Sequence, residues 1–237
     1  MIEVLIHGDC LDEMKKMADN SVDFAFTSPP YNRKRNDKYD HYEDVVDDYY
    51  GWMCNTIDEL IRVTKGNVFF NIQKNFYNKK DVFNIIGKYS DVIQEIIVWE
   101  KTNPMPASGG SITNSHEYII VFGDEALVSN NTYTKNIITT SVNSNMPKNH
   151  KAVMHREVSD WIIKNFTSEE DTVLDCFMGT ATTGMSCKSM GRGFVGIELN
   201  DTYFNMSIDN MDNTKQSNQV NMLKEFLKYD KATHNDI

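Results

Sequence analysis

Six consecutive residues, Thr27-Ser28-Pro29-Pro30-Tyr31-Asn32, are of types that can hold and orient a flat polar group. They follow Val22-Asp23-Phe24-Ala25-Phe26, an apolar run of the kind that forms a buried strand. Each proline fixes its own φ, lacks an N–H and pushes the residue before it into an extended shape. The carbonyls of Ser28 and Pro29 are therefore hard for an ordinary helix or sheet to use. A rigid corner with spare acceptors beside an aromatic ring suits a planar group that carries N–H donors. A bare Pro-Pro at a strand end more often makes only a turn, so the chemistry rests on what accompanies it.

A second constellation lies far along the chain. Val173 to Gly184 reads as a strand, a glycine-bearing turn and a helix start, with Asp175, Phe177 and Gly179 in or beside the turn. Phe194 to Ile197 reads as the next strand and ends in Glu198, an acid placed to bind the two hydroxyls of a ribose. The glycines do not follow G-x-G-x-x-G, and a carboxylate opening the turn opposes a dinucleotide pyrophosphate, which wants free N–H groups. Asp175 instead suits a ligand with an amino group, such as the methionine part of S-adenosylmethionine. The helix start would meet that ligand's carboxylate.

The elements that must position these residues alternate. Strands are predicted at 2–7, 22–26, 68–72, 92–99, 118–122, 172–174 and 194–197, with a weak signal at Ile137-Ile138. Helices are predicted from Leu11 through Met17 with a stop at Asn20, and at 52–63, 81–89, 153–166 and 179–190. The expectation is a single α/β domain with a mixed, mostly parallel sheet and helices on both faces. After Asn210 the chain turns polar, and Val220, Leu223, Phe226 and Leu227 then recur on one face of a late helix.

The net charge of −10 argues against a protein that coats nucleic acid non-specifically. It leaves room for local basic groups, Arg33-Lys34-Arg35 with Lys38, and Lys148 with Lys151 and Arg156. Cys10, Cys54, Cys176 and Cys187 show no C-x-x-C spacing and read as small buried hydrophobes in a reducing compartment, with no metal site. No apolar run is long enough for a membrane span, and the expected location is the cytoplasm.

The two constellations together resemble the DNA amino-methyltransferases, which act on exocyclic nitrogens of adenine or cytosine. Ser28-Pro29-Pro30-Tyr31 is similar to their catalytic motif [DNS]-P-P-[YF]. Asp175, Phe177 and Gly179 are similar to their cofactor motif D-x-F-x-G-x-G, with Ala181 in place of the last glycine. The catalytic motif comes first, as in the β subgroup. Gly8-Asp9-Cys10, the middle stretch from Trp99 to Pro106, and Asn114 to Tyr118 also match the subgroup, so the likeness runs from about Ile6 to Met206.

The resemblance implies a class I methyltransferase fold of Rossmann-like type over residues 1–210, with a small target-recognition region within 101–147 and a helical tail at 211–237. It implies S-adenosylmethionine as cofactor. Asp9 and Cys10 would lie against its adenine, Glu198 would hold its ribose, Asp175, Phe177 and Gly179 would line its methionine end, and Thr180, Ala181, Thr182 and Asn200 would complete the cofactor site. Ser28 and the Pro29 carbonyl, set by Pro30, would take the target amino group, and Tyr31 would stack on the base. Arg33, Lys34, Arg35, Lys38 and Lys148 would hold the backbone of double-stranded DNA around a flipped nucleotide. Serine at the first motif position points to cytosine N4, with adenine N6 as the alternative. The family also implies a companion restriction enzyme and a homodimer as partners. A rival of another class is an inactive DNA- or cofactor-binding module descended from such enzymes; intact Ser28, Tyr31, Asp175 and Glu198 speak against it.

Overall fold

The computed structural model describes residues 2–32, 46–104, 106, 112–124, 126–141 and 154–215. Among the described residues, eight strands and six helices follow one another, alternating except where the fourth, fifth and sixth strands are consecutive. They are β1 (Glu3–His7), α1 (Cys10–Met14), β2 (Phe24–Thr27), α2 (Tyr49–Val63), β3 (Val68–Ile72), α3 (Lys79–Lys88), β4 (Ile93–Lys101), β5 (His116–Phe122), β6 (Ile137–Thr140), α4 (Arg156–Phe166), β7 (Thr172–Asp175), α5 (Thr182–Met190), β8 (Gly193–Glu198) and α6 (Asp201–Asn213).

The strands form one sheet in the order β1-β8-β7-β2-β3-β5-β4-β6. Five neighbouring pairs are parallel, and β5 runs against both β3 and β4. Strands β2, β3 and β7 (FAFT, VFFNI and TVLD) are buried at every position, because helices cover both faces. Alternate residues feed two cores. Ala25, Phe70, Ile72, Leu174 and Ile197 meet Met14, Met53, Ile57 and Ile85 of α1, α2 and α3. Phe24, Phe26, Phe69, Val173 and Phe194 meet Val158, Ile162, Cys187 and Met211 of α4, α5 and α6. All four cysteines are buried within these layers.

Some element ends differ from the expectation for local reasons. Helix α1 stops at Met14 because the Arg62 guanidinium takes the carbonyls of Met14 and Met17. Asn20 then turns with φ +53°. Helix α5 begins at Thr182 and not at Gly179, because Gly179 and Ala181 both adopt positive φ. The weak signal at Ile137 is a parallel edge strand beside β4. Helix α6, which the sequence pattern does not announce, runs through residue 210, where the expected domain boundary lay. The late helix at 220–227 lies outside the described residues.

Strand β7 leads through α5 to its neighbour β8 on one side, while β2 leads through α2 to β3 on the other. The connections diverge between β7 and β2, so their carboxyl ends border a crevice, the place where open α/β sheets bind ligands. Among the described residues, no helix is long and apolar enough to cross a membrane.

Candidate active site

The crevice joins the two sequence constellations directly. Thr27, the last residue of β2, donates its hydroxyl proton to Asp175 Oδ1 at 2.7 Å. Thr183 of α5 donates to Asp175 Oδ2 at 2.7 Å, and the Phe177 N–H reaches Oδ1 at 3.1 Å. The Asp175 carboxylate, 4% exposed, is thus turned inward and braces the turn itself. The carboxylate that the sequence argument assigned to a ligand's amino group also ties the catalytic strand to the glycine turn. Burial pushes its carboxyl up to about 6, opposed by the hydrogen bonds from Thr183, Thr27 and Phe177.

Glu198 ends β8 beside the same turn. Its Oε2 accepts the Gly179 N–H at 2.9 Å and its Oε1 the Asn200 N–H at 2.7 Å. Burial raises its pKa against these donors. Each carboxylate oxygen has two lone pairs, so acceptor capacity remains for ligand hydroxyls. Gly8 donates its N–H to the Glu198 carbonyl at 3.0 Å, which brings Asp9 and Cys10 alongside. Asp9 caps α1 through the N–H groups of Leu11 and Asp12, and Cys10 is buried. Asn200 caps α6 in the same way through Thr202 and Tyr203.

The turn between them is shaped for a guest. Gly179 has φ +53°, and nothing lies within 4 Å of the place a Cβ would occupy. Ala181 holds φ +64° and ψ +40°, the left-handed conformation that glycine adopts without cost, which accounts for the motif's preference at that position. Thr180 and Thr182 are both buried. An open-faced turn, a carboxylate with spare lone pairs and the half-buried Phe177 ring fit a nucleoside that carries an amino-acid arm.

The corner is held from several sides. Tyr49, in the first turn of α2, donates its hydroxyl to the Pro30 carbonyl at 2.8 Å. Trp52, three residues on, meets the Phe177 ring edge-on at 5.5 Å. Asn75 and Asn78 donate to the Tyr31 carbonyl at 2.7 and 2.9 Å. The Pro29 carbonyl receives no hydrogen bond from any described residue and remains a spare acceptor, as the sequence predicts.

Behind the corner lies a polar cluster that the sequence reading does not single out. Ser28 Oγ is 2.8 Å from Tyr31 Oη, and the Tyr31 hydroxyl donates to Glu117 Oε2 at 2.8 Å. Asn71 Nδ2 lies 2.7 Å from Tyr31 Oη, 2.8 Å from Glu117 Oε2 and 3.2 Å from Ser28 Oγ. Lys101 pairs with Glu117 Oε1. Glu117 is only 3% exposed. Since the Tyr31 proton goes to Glu117, the hydroxyl proton between Ser28 and Tyr31 must come from Ser28. A lone pair of Ser28 Oγ is then left for a donor outside the cluster. Asn71, Lys101 and Glu117 come from three strands and share no local spacing; the only sequence signal was that Lys101 and Glu117 fall in the stretches 99–106 and 114–118 that match the subgroup.

Of the residues expected at the site, Ser28, Pro29, Pro30 and Tyr31 form one corner, and Asp9, Cys10, Asp175 to Thr182, Glu198 and Asn200 gather at the carboxyl ends of β1, β7 and β8. Arg33, Lys34, Arg35, Lys38 and Lys148 lie outside the described residues. Within the expected recognition region, Ile137–Thr140 is an edge strand of the sheet.

Known proteins are similar to this chain in sequence and in fold. A family model described as DNA methylase matches residues 22–209. The type II methyltransferase M.HinfI of Haemophilus influenzae is 24% identical over 269 residues, covering 96% of this chain and 73% of that protein. The type II methyltransferase M.MwoI of Methanothermobacter wolfeii is 31% identical over 214 residues, covering 83% of this chain but only 32% of its own length. Among solved structures, PvuII DNA methyltransferase (cytosine-N4-specific) superposes with a TM-score of 0.73 at 16% identity, covering 89% of this chain and 86% of that one. The M1.HpyAVI–SAM complex superposes with a TM-score of 0.65 at 22% identity, covering 89% and 99%. At these identities the structural likenesses establish the fold.

Proposed function

We propose that this chain, which belongs to the DNA methylase family, methylates the N4 amino group of a cytosine turned out of duplex DNA. The family comprises amino-methyltransferases, and their cofactor is S-adenosylmethionine. The observation that carries the finer reading is the Ser28–Tyr31–Glu117 chain beside the Asp175–Gly179 turn.

When bound, S-adenosylmethionine supplies a methyl group on a positively charged sulfur. Glu198 would hold its ribose, Asp9 and Cys10 would lie beside its adenine, and Phe177 with the turn from Gly179 to Thr182 would face its methionine end. Asp175 keeps that turn against β2, and so fixes the cofactor end relative to the corner.

An exocyclic amino nitrogen is conjugated with its ring and is a poor nucleophile. Ser28 Oγ accepts one of its hydrogens, because the hydroxyl proton is already committed to Tyr31. The Pro29 carbonyl accepts the other. Two acceptors on one side favour a pyramidal nitrogen, with its lone pair directed away from them towards the crevice. The gain comes from orientation and from dipoles fixed before the reaction. No strong general base is needed, since the methylated cation is acidic and gives its proton to water.

Such a corner cannot reach a base inside a helix, so the nucleotide must leave the stack, at roughly a few kcal/mol. Stacking on the Tyr31 ring returns about 1–3 kcal/mol. Serine at the head of the motif supports cytosine; nothing in a serine hydroxyl forbids adenine N6. Arg33, Lys34, Arg35, Lys38 and Lys148 remain proposed backbone contacts, and a homodimer and a companion restriction enzyme remain proposed partners.

The test is methyl transfer from labelled S-adenosylmethionine to unmethylated genomic DNA, followed by nucleoside analysis. N4-methylcytosine is expected. N6-methyladenine would overturn the base assignment alone, and transfer to RNA with none to duplex DNA would overturn the substrate.

A further inference from the structure

We propose that the loop from β3 to α3, with the first turn of α3, is a second contact surface for duplex DNA, a lip of aromatic rings and lysines beside the catalytic corner. It rests on the reading that this enzyme acts on DNA.

Three large apolar side chains stand in solvent within eight residues: Phe76 is 78% exposed, Tyr77 50% and Phe83 55%. Lys74, Lys79 and Lys80 alternate with them. Lys79 Nζ lies 5.3 Å from the Phe76 ring centroid and Lys74 Nζ 6.0 Å from that of Phe83. The Phe76 and Tyr77 rings meet edge to face at 5.4 Å. Among the described residues, no carboxylate pairs with any of the three lysines, although the chain carries ten more negative charges than positive ones. Asp81 shares the first turn of α3, so the lip keeps a surplus of positive charge, and cations interleaved with exposed rings match phosphates interleaved with bases.

The lip is also built into the corner. It starts at the carboxyl end of β3, the edge of the sheet that bears Thr27 and Asp175. Asn75 and Asn78 both donate to the Tyr31 carbonyl, and the Asn75 N–H donates to Asn78 Oδ1 at 2.7 Å. The same two asparagines that fix the base-stacking residue therefore fix the position of Phe76 and Tyr77. In the complex, the lysines lie on phosphates next to the target nucleotide. Phe76 and Tyr77 lie against the base step that the departing nucleotide opens, the role that apolar wedges play in other proteins that unstack DNA.

Two variants of the full chain test this: a triple Lys74→Gln, Lys79→Gln, Lys80→Gln and a double Phe76→Ser, Tyr77→Ser. All of these positions lie outside the cofactor crevice, so melting temperature and S-adenosylmethionine affinity report whether each variant is folded. Binding to a short labelled DNA duplex is followed by anisotropy across a salt series, with an RNA duplex of the same sequence beside it. The lysine variant should lower the slope of log affinity against log salt by about 2–3. The aromatic variant should keep the slope and lose about tenfold or more in affinity. A wild-type enzyme that methylates DNA while both variants bind like it overturns the lip alone. Binding through the lip without any transfer overturns the proposed function alone. Preference for the RNA duplex, or no duplex binding, overturns both.

Discussion

The side chains of the crevice are set by charge and proton placement. Asp175 is a buried carboxylate with three donors, and burial still holds its pKa near 6 against an ordinary 3.8. Its charged form is therefore less favourable in the folded protein than in the unfolded chain. The associated stability is complete below the unfolded pKa and is lost as pH rises through about 6, by about 3 kcal/mol from a shift of roughly two units. Asp175→Asn should gain about that much relative to wild type between pH 4 and pH 7, measured as the difference in urea unfolding free energy. A difference that does not change with pH would show that the charge is not held as described. In the proposed mechanism Glu117 is a positioning residue, acting on the target through Tyr31 and Ser28. Glu117→Gln removes a charge-assisted hydrogen bond worth about 1.5–3 kcal/mol, so kcat should fall about 10–100-fold. Affinity for S-adenosylmethionine should stay at the wild-type value, and an equal loss in both would place Glu117 in the wrong half of the site. The buried Asn71 Oδ1 has no partner among the described residues. Such an atom costs about 1–3 kcal/mol, as expected of a cluster kept for function and not for stability.

The elements turn these side chains into a site by register. Residues of one strand alternate between faces, so Ser28 follows the side of Phe24 and Phe26, Asn71 that of Phe69, Glu117 that of Ile119, and Lys101 that of Trp99. Pairing sets Asn71 opposite Ile119 and Trp99 opposite Glu117, which lines the polar residues up across β2, β3, β5 and β4. A slip of one residue would send Asn71 or Glu117 to the other face. Helix α5 must approach β8 closely to hold the glycine turn in place. A Cβ on Gly184 would fall 2.6 Å from the Phe194 ring and 2.8 Å from Met211 Sδ. Gly184→Ala should therefore destabilise the protein by about 1–3 kcal/mol through overpacking, despite the better helix propensity of alanine. A thermal melt at or above the wild-type temperature would show that the contact relaxes freely.

At the scale of the whole molecule, one sheet carries both proposed sites. In the proposed reading, strands β1, β8 and β7 would present the cofactor end and β2, β3, β5 and β4 the base end, with the divide between β7 and β2 joining them. A ligand that binds only the folded crevice stabilises the entire fold. At about a hundredfold excess over its Kd, S-adenosylmethionine should add about 2.7 kcal/mol. For a chain of this size that raises the melting temperature by about 5–11 °C. Glu198→Ala should abolish most of the shift in differential scanning fluorimetry. An undiminished shift would place the ligand elsewhere.

Much of this was legible before any fold was known, because the informative residues are contiguous. Ser28 to Tyr31 and Asp175 to Gly179 are short runs whose backbone is restricted by proline and glycine, and local chemistry is written locally. Alternating apolar segments fixed the α/β class for the same reason. Pairing across the sheet is not local. That the Asp175 carboxylate meets Thr27 and Thr183, and that Asn71, Glu117 and Lys101 assemble behind Ser28, depends on strand order and register, which bring together residues up to 148 positions apart. The sequence by itself determined which chemical groups the protein carries and which local turns present them. Only the tertiary structure decided which of those groups face each other, because burial and register, not spacing along the chain, direct each hydroxyl proton inward and leave the acceptors of Ser28 and Pro29 open.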